Sequence, residues 1–372
     1  MIRMVDLKTQ YEHIKADIDR AVLEVIASTD FINGPAVRQF QTELEAYLNV
    51  EHVIPCANGT DALQIAMMAL GLKPGDEVIV PAFTYVATAE VIALLGLHPI
   101  MVDVDPHTFN VPVELIEKAI TPRTKAVVPV HLFGQSTDME PLLELARRHQ
   151  LFVIEDNAQA IGGDYIFADG RRQKTGTIGH VGSTSFFPSK NLGCYGDGGA
   201  ISTPDGDLAK RLRMVANHGQ SRQYYHDAIG VNSRLDSIQA AILSVKLKHL
   251  DAYIAARQAA AAYYDTALAE LPQLATPARQ HNATHVFHQY TLVVREGDRD
   301  ALRQHLADKG IPAMIYYPVP LYKQEAFKHY WAGGTLPVTE QLCQSVISLP
   351  IHTELTPAVQ DQIIDGVRSF FA

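Results

Sequence analysis

The stretch Ser183-Thr-Ser-Phe-Phe-Pro-Ser-Lys-Asn-Leu-Gly-Cys-Tyr-Gly-Asp-Gly-Gly-Ala200 contains one lysine, Lys190, between a hydroxyl-rich aromatic run and a glycine-rich turn. Its apolar neighbours Phe186, Phe187 and Pro188 are expected to exclude water from the ammonium group. Because desolvation disfavours the charged form of lysine, the amine becomes a better nucleophile. Such a lysine is suited to a Schiff base with an aldehyde. A single lysine is more often exposed, so the rest of the chain decides between these interpretations.

The composition is that of an ordinary globular protein, with 47% apolar and 19% charged residues. The 372 residues are enough for two domains with a substantial core. A net charge of -10 provides no basic surface for nucleic acid, so no nucleic-acid partner is expected. A small anionic ligand stays compatible with this charge, because backbone amides and a few cations bind one locally.

Three features favour a cytoplasmic protein. No window of about 18 uninterrupted apolar residues predicts a membrane span, so no membrane partner is expected. The segment Met1-Ile-Arg-Met-Val-Asp-Leu-Lys8 carries charges where a signal peptide has an apolar core. Cys56, Cys194 and Cys343 are odd in number and far apart, which favours a reducing compartment.

Short apolar segments alternate with helical patterns through the first half of the chain. The predicted strands are 52–55, 77–80, 99–102, 126–130 and 151–154, and the predicted helices include 6–29, 37–48, 84–95, 113–120 and 139–149. This alternation predicts an α/β fold whose mainly parallel sheet is covered by helices on both faces. Two further strands, 181–187 and 199–202, are predicted on either side of Lys190.

A change of pattern indicates a second domain. A long helical pattern over 235–268 is followed by a strand pattern at 289–294, a helical pattern at 299–309 and a proline-rich loop. We therefore expect a large α/β domain over residues 1–250, including the N-terminal helix, and a smaller α+β domain over residues 251–372.

Polar residues follow several predicted strands, where an open α/β sheet binds its ligands. The turn Asn58-Gly59-Thr60 opens a helix, with Thr60 or Asp61 as the predicted capping residue, and its free amides suit a phosphate group. Asp156 follows a buried strand, where a carboxylate needs a cation such as a protonated pyridine nitrogen. Ser185 could donate to the phosphate while Lys190 holds an aldehyde.

An aromatic residue also follows the predicted strand 77–80. Tyr85 could stack on a flat heterocycle. The alternative is that Phe83 and Tyr85 are both core residues, and the sequence leaves these two interpretations open.

Six stretches together carry a resemblance to an enzyme family. They are Asn58-Gly-Thr-Asp-Ala-Leu63, Pro81-Ala-Phe-Thr-Tyr-Val-Ala-Thr88, Glu155-Asp-Asn-Ala-Gln159, Ser185-Phe-Phe-Pro-Ser-Lys190, Gly196-Asp-Gly-Gly199 and Gly230-Val-Asn-Ser-Arg-Leu-Asp236. In these stretches the chain resembles the DegT/StrS group of sugar aminotransferases, which are fold type I enzymes that use pyridoxal 5'-phosphate. The resemblance spans most of the first 240 residues.

The resemblance implies a role for each matched position. Lys190 would form the Schiff base and move the proton between the two carbons of the substrate imine, while Asp156 would pair with the pyridine nitrogen. Gln159 would approach the ring hydroxyl, and Tyr85 would stack on the ring. The residues that would hold the phosphate are Gly59, Thr60 and Ser185.

The last matched stretch implies a homodimer with shared active sites. Asn232 would reach the phosphate in the site of the neighbouring subunit. Arg234 would bind a carboxylate of the substrate or the amino donor, because a guanidinium binds carboxylates bidentately. A structural salt bridge is an equally open interpretation of Arg234.

Within the group, the chain is most similar to enzymes that aminate C3 of UDP-2-acetamido-2-deoxy-3-oxo-glucuronate. L-glutamate would load the cofactor as pyridoxamine phosphate and leave as 2-oxoglutarate, and the keto-sugar nucleotide would accept the amine. The products of this group serve surface polysaccharides such as the LPS O-antigen. Tyr316 and Tyr317 stand in a loop that contacts the nucleotide sugar in the family, so both are expected to bind substrate. Amination at C3 or C4 of a dTDP- or UDP-linked keto-6-deoxyhexose stays open.

Other functions are disfavoured by particular residues. His281, His285 and His288 lack the clustered cysteines or carboxylates of a metal site, so no metal is expected. The glycines from Gly193 to Gly199 do not open a βαβ unit, which argues against a dinucleotide fold. A sugar 3-dehydratase of this fold usually has histidine at the position of Lys190. A non-catalytic regulator would not need the set of Lys190, Asp156 and Gln159.

Overall fold

The computed structural model describes residues 2–372. Its strands are β1 (His52–Cys56), β2 (Glu77–Pro81), β3 (His98–Val102), β4 (Thr124–Val127), β5 (Phe152–Asp156), β6 (Asp164–Ile166), β7 (Arg172–Lys174), β8 (Val181–Ser185), β9 (Gly199–Thr203), β10 (Gln220–Arg222), β11 (Tyr225–His226), β12 (Leu274–Ala275), β13 (Tyr290–Val294) and β14 (Val346–Leu349). Its α-helices are α1 (Leu7–Ser28), α2 (Pro35–Leu48), α3 (Gly59–Ala69), α4 (Ala87–Leu94), α5 (Val113–Ala119), α6 (Met139–His149), α7 (Gly206–Ala216), α8 (Ser237–Leu247), α9 (Leu250–Leu268), α10 (Arg299–Asp308), α11 (Pro337–Ser345) and α12 (Pro357–Phe371).

A seven-stranded sheet organises the first 203 residues in the order β1-β9-β8-β5-β4-β2-β3. The strands β3, β2, β4, β5 and β8 are parallel to one another, and β9 is antiparallel to both of its neighbours. Strands β2 and β9 are buried along their whole length, as expected for a sheet covered on both faces. The predicted α/β fold with a mainly parallel sheet is therefore confirmed.

The helical pattern predicted over 235–268 is two helices rather than one. Helix α8 ends at Leu247, and α9 begins at Leu250. Helix α8 packs on α1 and α2, and Leu250 and Ile254 at the start of α9 pack in the same cluster as α8. From Ala260 onward, α9 packs on the C-terminal sheet.

The C-terminal region has its own antiparallel sheet, in the order β12-β13-β14. Helices α9, α10 and α12 pack on this sheet around buried residues such as Tyr264, Leu306 and Val367. No helix within residues 2–372 combines the length and the apolar character that crossing a membrane requires.

One carboxylate ties the C-terminal region to the edge of the large sheet. Asp103 follows β3, and its Oδ1 accepts hydrogen bonds from the backbone N–H and the hydroxyl of Thr339, both at 2.7 Å. Its Oδ2 accepts from the N–H of Val338 at 3.0 Å. These donors lie in the first turn of α11, where a negative charge also meets the positive end of the helix dipole. The contact anchors α11 to β3.

Candidate active site

The strand ends singled out by the sequence meet in one cleft. Strands β2, β4, β5 and β8 are parallel, and β1 runs in the same direction because β9 is antiparallel to both β1 and β8. Their carboxyl ends therefore share one edge of the sheet. A cavity of about 680 Å³ opens there, which is within the usual range for small-molecule sites. Of the eleven predicted site residues, nine line it: Gly59, Thr60, Tyr85, Asp156, Gln159, Ser185, Lys190, Tyr316 and Tyr317.

The turn between β1 and α3 forms a cradle for an anion. The first backbone hydrogen bond of α3 runs from Ala62 N–H to Asn58 O at 3.1 Å, so the N–H groups of Gly59 and Thr60 precede the helical ladder. A Cβ at position 59 would lie 2.7 Å from Cβ of Ser185, so only glycine allows this close approach. The predicted cap was wrong. Asn58 caps the helix, because its Oδ1 accepts from the N–H of Asp61 at 2.8 Å.

Asp156 stands at the end of β5 with its carboxylate at the cavity, and it is 6% exposed. The hydroxyl of Thr88 donates to its Oδ2 at 2.8 Å, and the N–H of Ala158 donates to its Oδ1 at 3.2 Å. These bonds hold the carboxylate in one orientation. A buried carboxylate on the cavity wall suits a cationic ring nitrogen.

The preceding residue, Glu155, points to the other face of the sheet, as neighbouring residues of a strand do. Its buried carboxylate accepts from the N–H groups of Gly176 (2.8 Å), Ile178 (2.6 Å) and Gly179 (2.6 Å). It also pairs with Nε2 of His131 at 2.8 Å. Because Nδ1 of His131 accepts from the N–H of Thr137, Nε2 is the donor to the carboxylate. Glu155 therefore supports the end of β5 and takes no part in the cavity.

Lys190 lies half-buried in the wall of the cavity. Burial lowers the pKa of its ammonium group to about 8, and the negative charge of Asp156 partly opposes this shift. The turn is held by hydrogen bonds from Lys190 N–H to Phe187 O (2.8 Å) and from Asn191 Nδ2 to Val286 O (2.9 Å). Of the residues expected to desolvate the amine, Phe186 is buried, whereas Phe187 is 53% exposed at the cavity wall.

Gln159, Tyr85 and Tyr317 also line the cavity. The N–H of Phe133 donates to Oε1 of Gln159 at 2.7 Å, so Nε2 is directed toward Tyr317, whose hydroxyl accepts from it at 3.3 Å. Burial raises the pKa of Tyr317 and keeps its hydroxyl protonated. The ring of Tyr85 lies 6.3 Å from that of Tyr317 and is 57% exposed, so the core interpretation of Tyr85 is wrong. Phe83, in contrast, is buried.

Several cavity residues were not predicted from the sequence. His288 was considered only as a metal ligand, yet it lines the cavity. Burial and the charges of Lys190 and Arg257 hold its pKa well below the usual value, so the imidazole is neutral. Ser189 and Asp197 flank Lys190 in the quoted stretch and line the cavity as well. Proximity to Lys190 could have indicated them, whereas His288 comes from a distant segment.

Two predicted site residues lie outside the cavity of the single chain. Asn232 is exposed, and Arg234 is half-buried away from the lining. Between them, the hydroxyl of Ser233 accepts from the N–H of Ala57 at 3.0 Å. This segment therefore packs against the end of the chain segment that leads into the anion cradle, and Asn232 is exposed beside it.

The arrangement fits pyridoxal phosphate in four respects. The N–H groups at Gly59 and Thr60 suit its phosphate. The carboxylate of Asp156 suits its ring nitrogen, and the exposed ring of Tyr85 suits its face. Lys190 supplies an amine with a lowered pKa for its aldehyde.

Known sequences are similar to this chain over nearly its whole length. Residues 12–368 match the DegT/DnrJ/EryC1/StrS aminotransferase family. UDP-2-acetamido-2-deoxy-3-oxo-D-glucuronate aminotransferase of Pseudomonas aeruginosa is 46% identical over 96% of this chain and 97% of its own length. A pleiotropic regulatory protein of Geobacillus stearothermophilus is 44% identical over 100% and 98%. dTDP-3-amino-3,4,6-trideoxy-alpha-D-glucose transaminase of Streptomyces venezuelae is 42% identical over 99% and 96%.

Solved structures agree in fold over nearly the whole chain. A DegT DnrJ EryC1 StrS aminotransferase from Brucella abortus superposes with a TM-score of 0.94 at 44% identity, covering 100% of this chain and 99% of that one. NtdA from Bacillus subtilis, solved with bound cofactor PMP, superposes with a TM-score of 0.88 at 34% identity, covering 98% and 82%. With its sequence matched from residue 12 to residue 368, the chain belongs to the DegT/DnrJ/EryC1/StrS family of aminotransferases.

Proposed function

We propose that this aminotransferase moves an amino group from L-glutamate to the keto carbon of a sugar nucleotide. Pyridoxal phosphate is its cofactor. The observation that carries the proposal is the position of Lys190, whose amine has a pKa of about 8 in a cavity that also contains Asp156, Gln159 and the anion cradle. An amine with this pKa is partly unprotonated near neutral pH and can attack an aldehyde.

Each chemical task of transamination has a proposed residue in the cavity. The backbone of Gly59 and Thr60, with the hydroxyl of Ser185, binds the phosphate and fixes the position of the ring. Asp156 holds the proton on the ring nitrogen, and Nζ of Lys190 moves a proton between the two carbons that exchange the amine. When bound, pyridoxal phosphate supplies the electron sink for that proton transfer.

For the acceptor, we propose C3 of UDP-2-acetamido-2-deoxy-3-oxo-glucuronate. The support is the named activity of the Pseudomonas aeruginosa relative at 46% identity. A dTDP-linked keto-deoxyhexose is the second candidate, because the Streptomyces venezuelae relative acts in that class at 42% identity. Tyr316 and Tyr317 line the cavity and are the proposed contacts to the sugar. A cytoplasmic location and a supply of amino sugar for surface polysaccharides complete this proposal.

The charge of the cavity supports a homodimer with shared sites. Asp61, Asp156 and Asp197 are acidic lining residues, and Lys190 is the cation among the described residues of the lining. The proposed ligands are themselves anionic, since they carry phosphates and carboxylates. We therefore expect additional positive charge from outside this lining. Arg234 of a second copy is the proposed source, and Asn232 of that copy is the proposed contact to the phosphate.

The test is transamination in the reverse direction from a panel of amino-sugar nucleotides, with 2-oxoglutarate as acceptor and glutamate formation as the signal. We expect the fastest glutamate formation with the UDP-linked 3-amino uronate, and no glutamate formation by the Lys190→Ala variant. A faster rate with a dTDP-linked 6-deoxy sugar would transfer the assignment to the second candidate. Absence of glutamate from every amino-sugar nucleotide would refute the sugar assignment.

A regulatory role is favoured only by the names of relatives, such as the pleiotropic regulatory protein of Geobacillus stearothermophilus. The two roles can be distinguished in a strain that lacks the gene for this protein and carries the Lys190→Ala variant instead. Restoration of the phenotype by this variant would support regulation without catalysis. Failure of the variant beside restoration by the unmodified chain would support the enzymatic role.

A further inference from the structure

Thr88 lies in the stretch 81–88 that marks the family, one helical turn after Tyr85, and the proposed chemistry gives it no role. Its side chain is fully buried in the first turn of α4. The hydroxyl donates to Oδ2 of Asp156 at 2.8 Å, which links α4 to the end of β5. Thr88 is thus the side chain that donates to the carboxylate on the cavity wall.

The bond has two physical effects on Asp156. The carboxyl group of an aspartate turns within a broad torsional well, so donors on both oxygens are needed to fix its plane. Thr88 occupies Oδ2, and the N–H of Ala158 occupies Oδ1. The hydroxyl also supplies a hydrogen bond in place of the water that burial removes from the carboxylate.

We propose that Thr88 is a positioning residue, whose hydroxyl keeps the carboxylate of Asp156 oriented toward the ring nitrogen of the cofactor. The inference rests on the proposed pairing of Asp156 with that nitrogen. Thr88 itself does not line the cavity. It acts through Asp156.

A structural role for Thr88 leads to a different expectation. If the hydroxyl only satisfies a buried polar group, its removal loosens the whole site and weakens every ligand equally. If it acts through Asp156, its removal weakens only ligands that have a ring nitrogen. The analogue 1-deazapyridoxal phosphate, with C–H in place of that nitrogen, separates the two roles.

The experiment measures the dissociation constants of pyridoxal phosphate and 1-deazapyridoxal phosphate for the apo-protein. Thr88→Val should bind pyridoxal phosphate roughly tenfold more weakly, because the lost bond is charge-assisted. Its affinity for the deaza analogue should equal that of the unmodified protein. Thr88→Ser keeps the hydroxyl and should restore binding. If the valine variant does not fold, Thr88→Ala replaces it, because it lacks the hydroxyl too.

A second comparison separates this inference from the proposed role of Asp156. Asp156→Asn should also bind pyridoxal phosphate more weakly while its affinity for the deaza analogue stays unchanged. Adding Thr88→Val to Asp156→Asn should cause no further loss of affinity for pyridoxal phosphate. If Asp156→Asn weakens both ligands equally, the pairing with the ring nitrogen is refuted. If Asp156→Asn discriminates between the ligands and Thr88→Val does not, the pairing stands and the inference about Thr88 is overturned.

Discussion

The amide of Gln159 donates from Nε2 to the hydroxyl of Tyr317 at 3.3 Å. Since Oε1 of Gln159 is occupied by the N–H of Phe133, the orientation of the amide is fixed and its donor side faces the tyrosine. The two residues are 158 positions apart in the chain, so this contact joins the segment after β5 to the loop that follows α10.

Tyr317→Phe removes the hydroxyl that accepts from Nε2 of Gln159 and leaves this amide N–H without its partner. Because a single hydrogen bond contributes about 1 kcal/mol, we expect a loss of roughly fivefold in kcat/KM. Steady-state kinetics with the identified sugar nucleotide measure this effect. Tyr264→Phe is the matched control, since it also loses one buried hydrogen bond, to Pro350 O at 3.0 Å, but does not line the cavity. Equal losses in the two variants would argue against the role of this contact.

Borohydride reduction of the protein with its cofactor should attach the cofactor to Lys190 alone. The reason is that Lys190 combines a pKa of about 8 with a place in the cavity. Peptide mass spectrometry after digestion locates the label. Lys246 is the internal control, because burial lowers its pKa to about 8 as well, yet its Nζ is bound to Gly193 O at 2.6 Å outside the cavity. A label on Lys246 would show that low pKa, and not position, selects the lysine.

The lowered pKa of Lys190 also predicts how the stability of the apo-protein depends on pH. Between the folded value of about 8 and the ordinary value of 10.5, the unfolded chain binds more protons at this residue than the folded chain. The free energy of unfolding should therefore gain a contribution that rises with pH across this interval. Below pH 8, the buried charge lowers stability.

Lys190→Met removes this contribution, and urea unfolding at several pH values measures it. The difference in unfolding free energy between variant and unmodified protein should shrink as the pH rises from about 8 toward 10.5. Lys246 contributes equally to both proteins and cancels. A difference that is constant with pH would contradict the lowered pKa.

Glu155→Gln should destabilise the fold far more than an exposed substitution. The variant places an amide against three backbone N–H groups that now meet a carboxylate, and leaving buried hydrogen-bonding groups unsatisfied costs about 3 kcal/mol. Urea unfolding of the apo-protein measures the loss. Glu296→Gln, at an exposed position, should change stability little. If both variants unfold at the same urea concentration, Glu155 does not support β5 as described.

Mixed dimers test whether Asn232 serves the site of a second copy. A dimer of one Lys190→Ala chain and one Asn232→Ala chain should contain one complete site if the site is shared. We therefore expect half the activity of the unmodified dimer, above that of either variant alone. If Asn232 served its own chain, the mixed dimer would contain no complete site. Activity no higher than the mean of the two parent variants would establish that outcome.

The strand ends were predictable because parallel strands bring their carboxyl ends to one edge, whatever lies between them. This placed Asp156, Ser185 and Lys190 in one cleft. The cap of α3 was missed because Asn58, Thr60 and Asp61 are all residue types that favour an N-cap, and only the backbone conformation of Asn58 selects it.

Local sequence patterns do not predict contacts between segments that are distant in the sequence. Thr88 looks like any helical residue until β5 brings Asp156 within 2.8 Å of it. His288 enters the cavity through the packing of the C-terminal region, which no spacing indicates. Helices α7, α11 and α12 and strand β14 were also not predicted.

The attachment of α11 to Asp103 has a consequence for the choice of substrate. The loop with Tyr316 and Tyr317 is fastened on both sides, by Met314 to Ser348 (3.1 and 2.7 Å) and by Leu321 N–H to Ala82 O (3.2 Å), while Asp103 secures the helix beyond it. Swinging this wall outward would break all of these bonds together. On the proposed contact of Tyr316 and Tyr317 with the sugar, we therefore expect the acceptor to be selected by the side chains of a rigid wall and not by a movement of the loop.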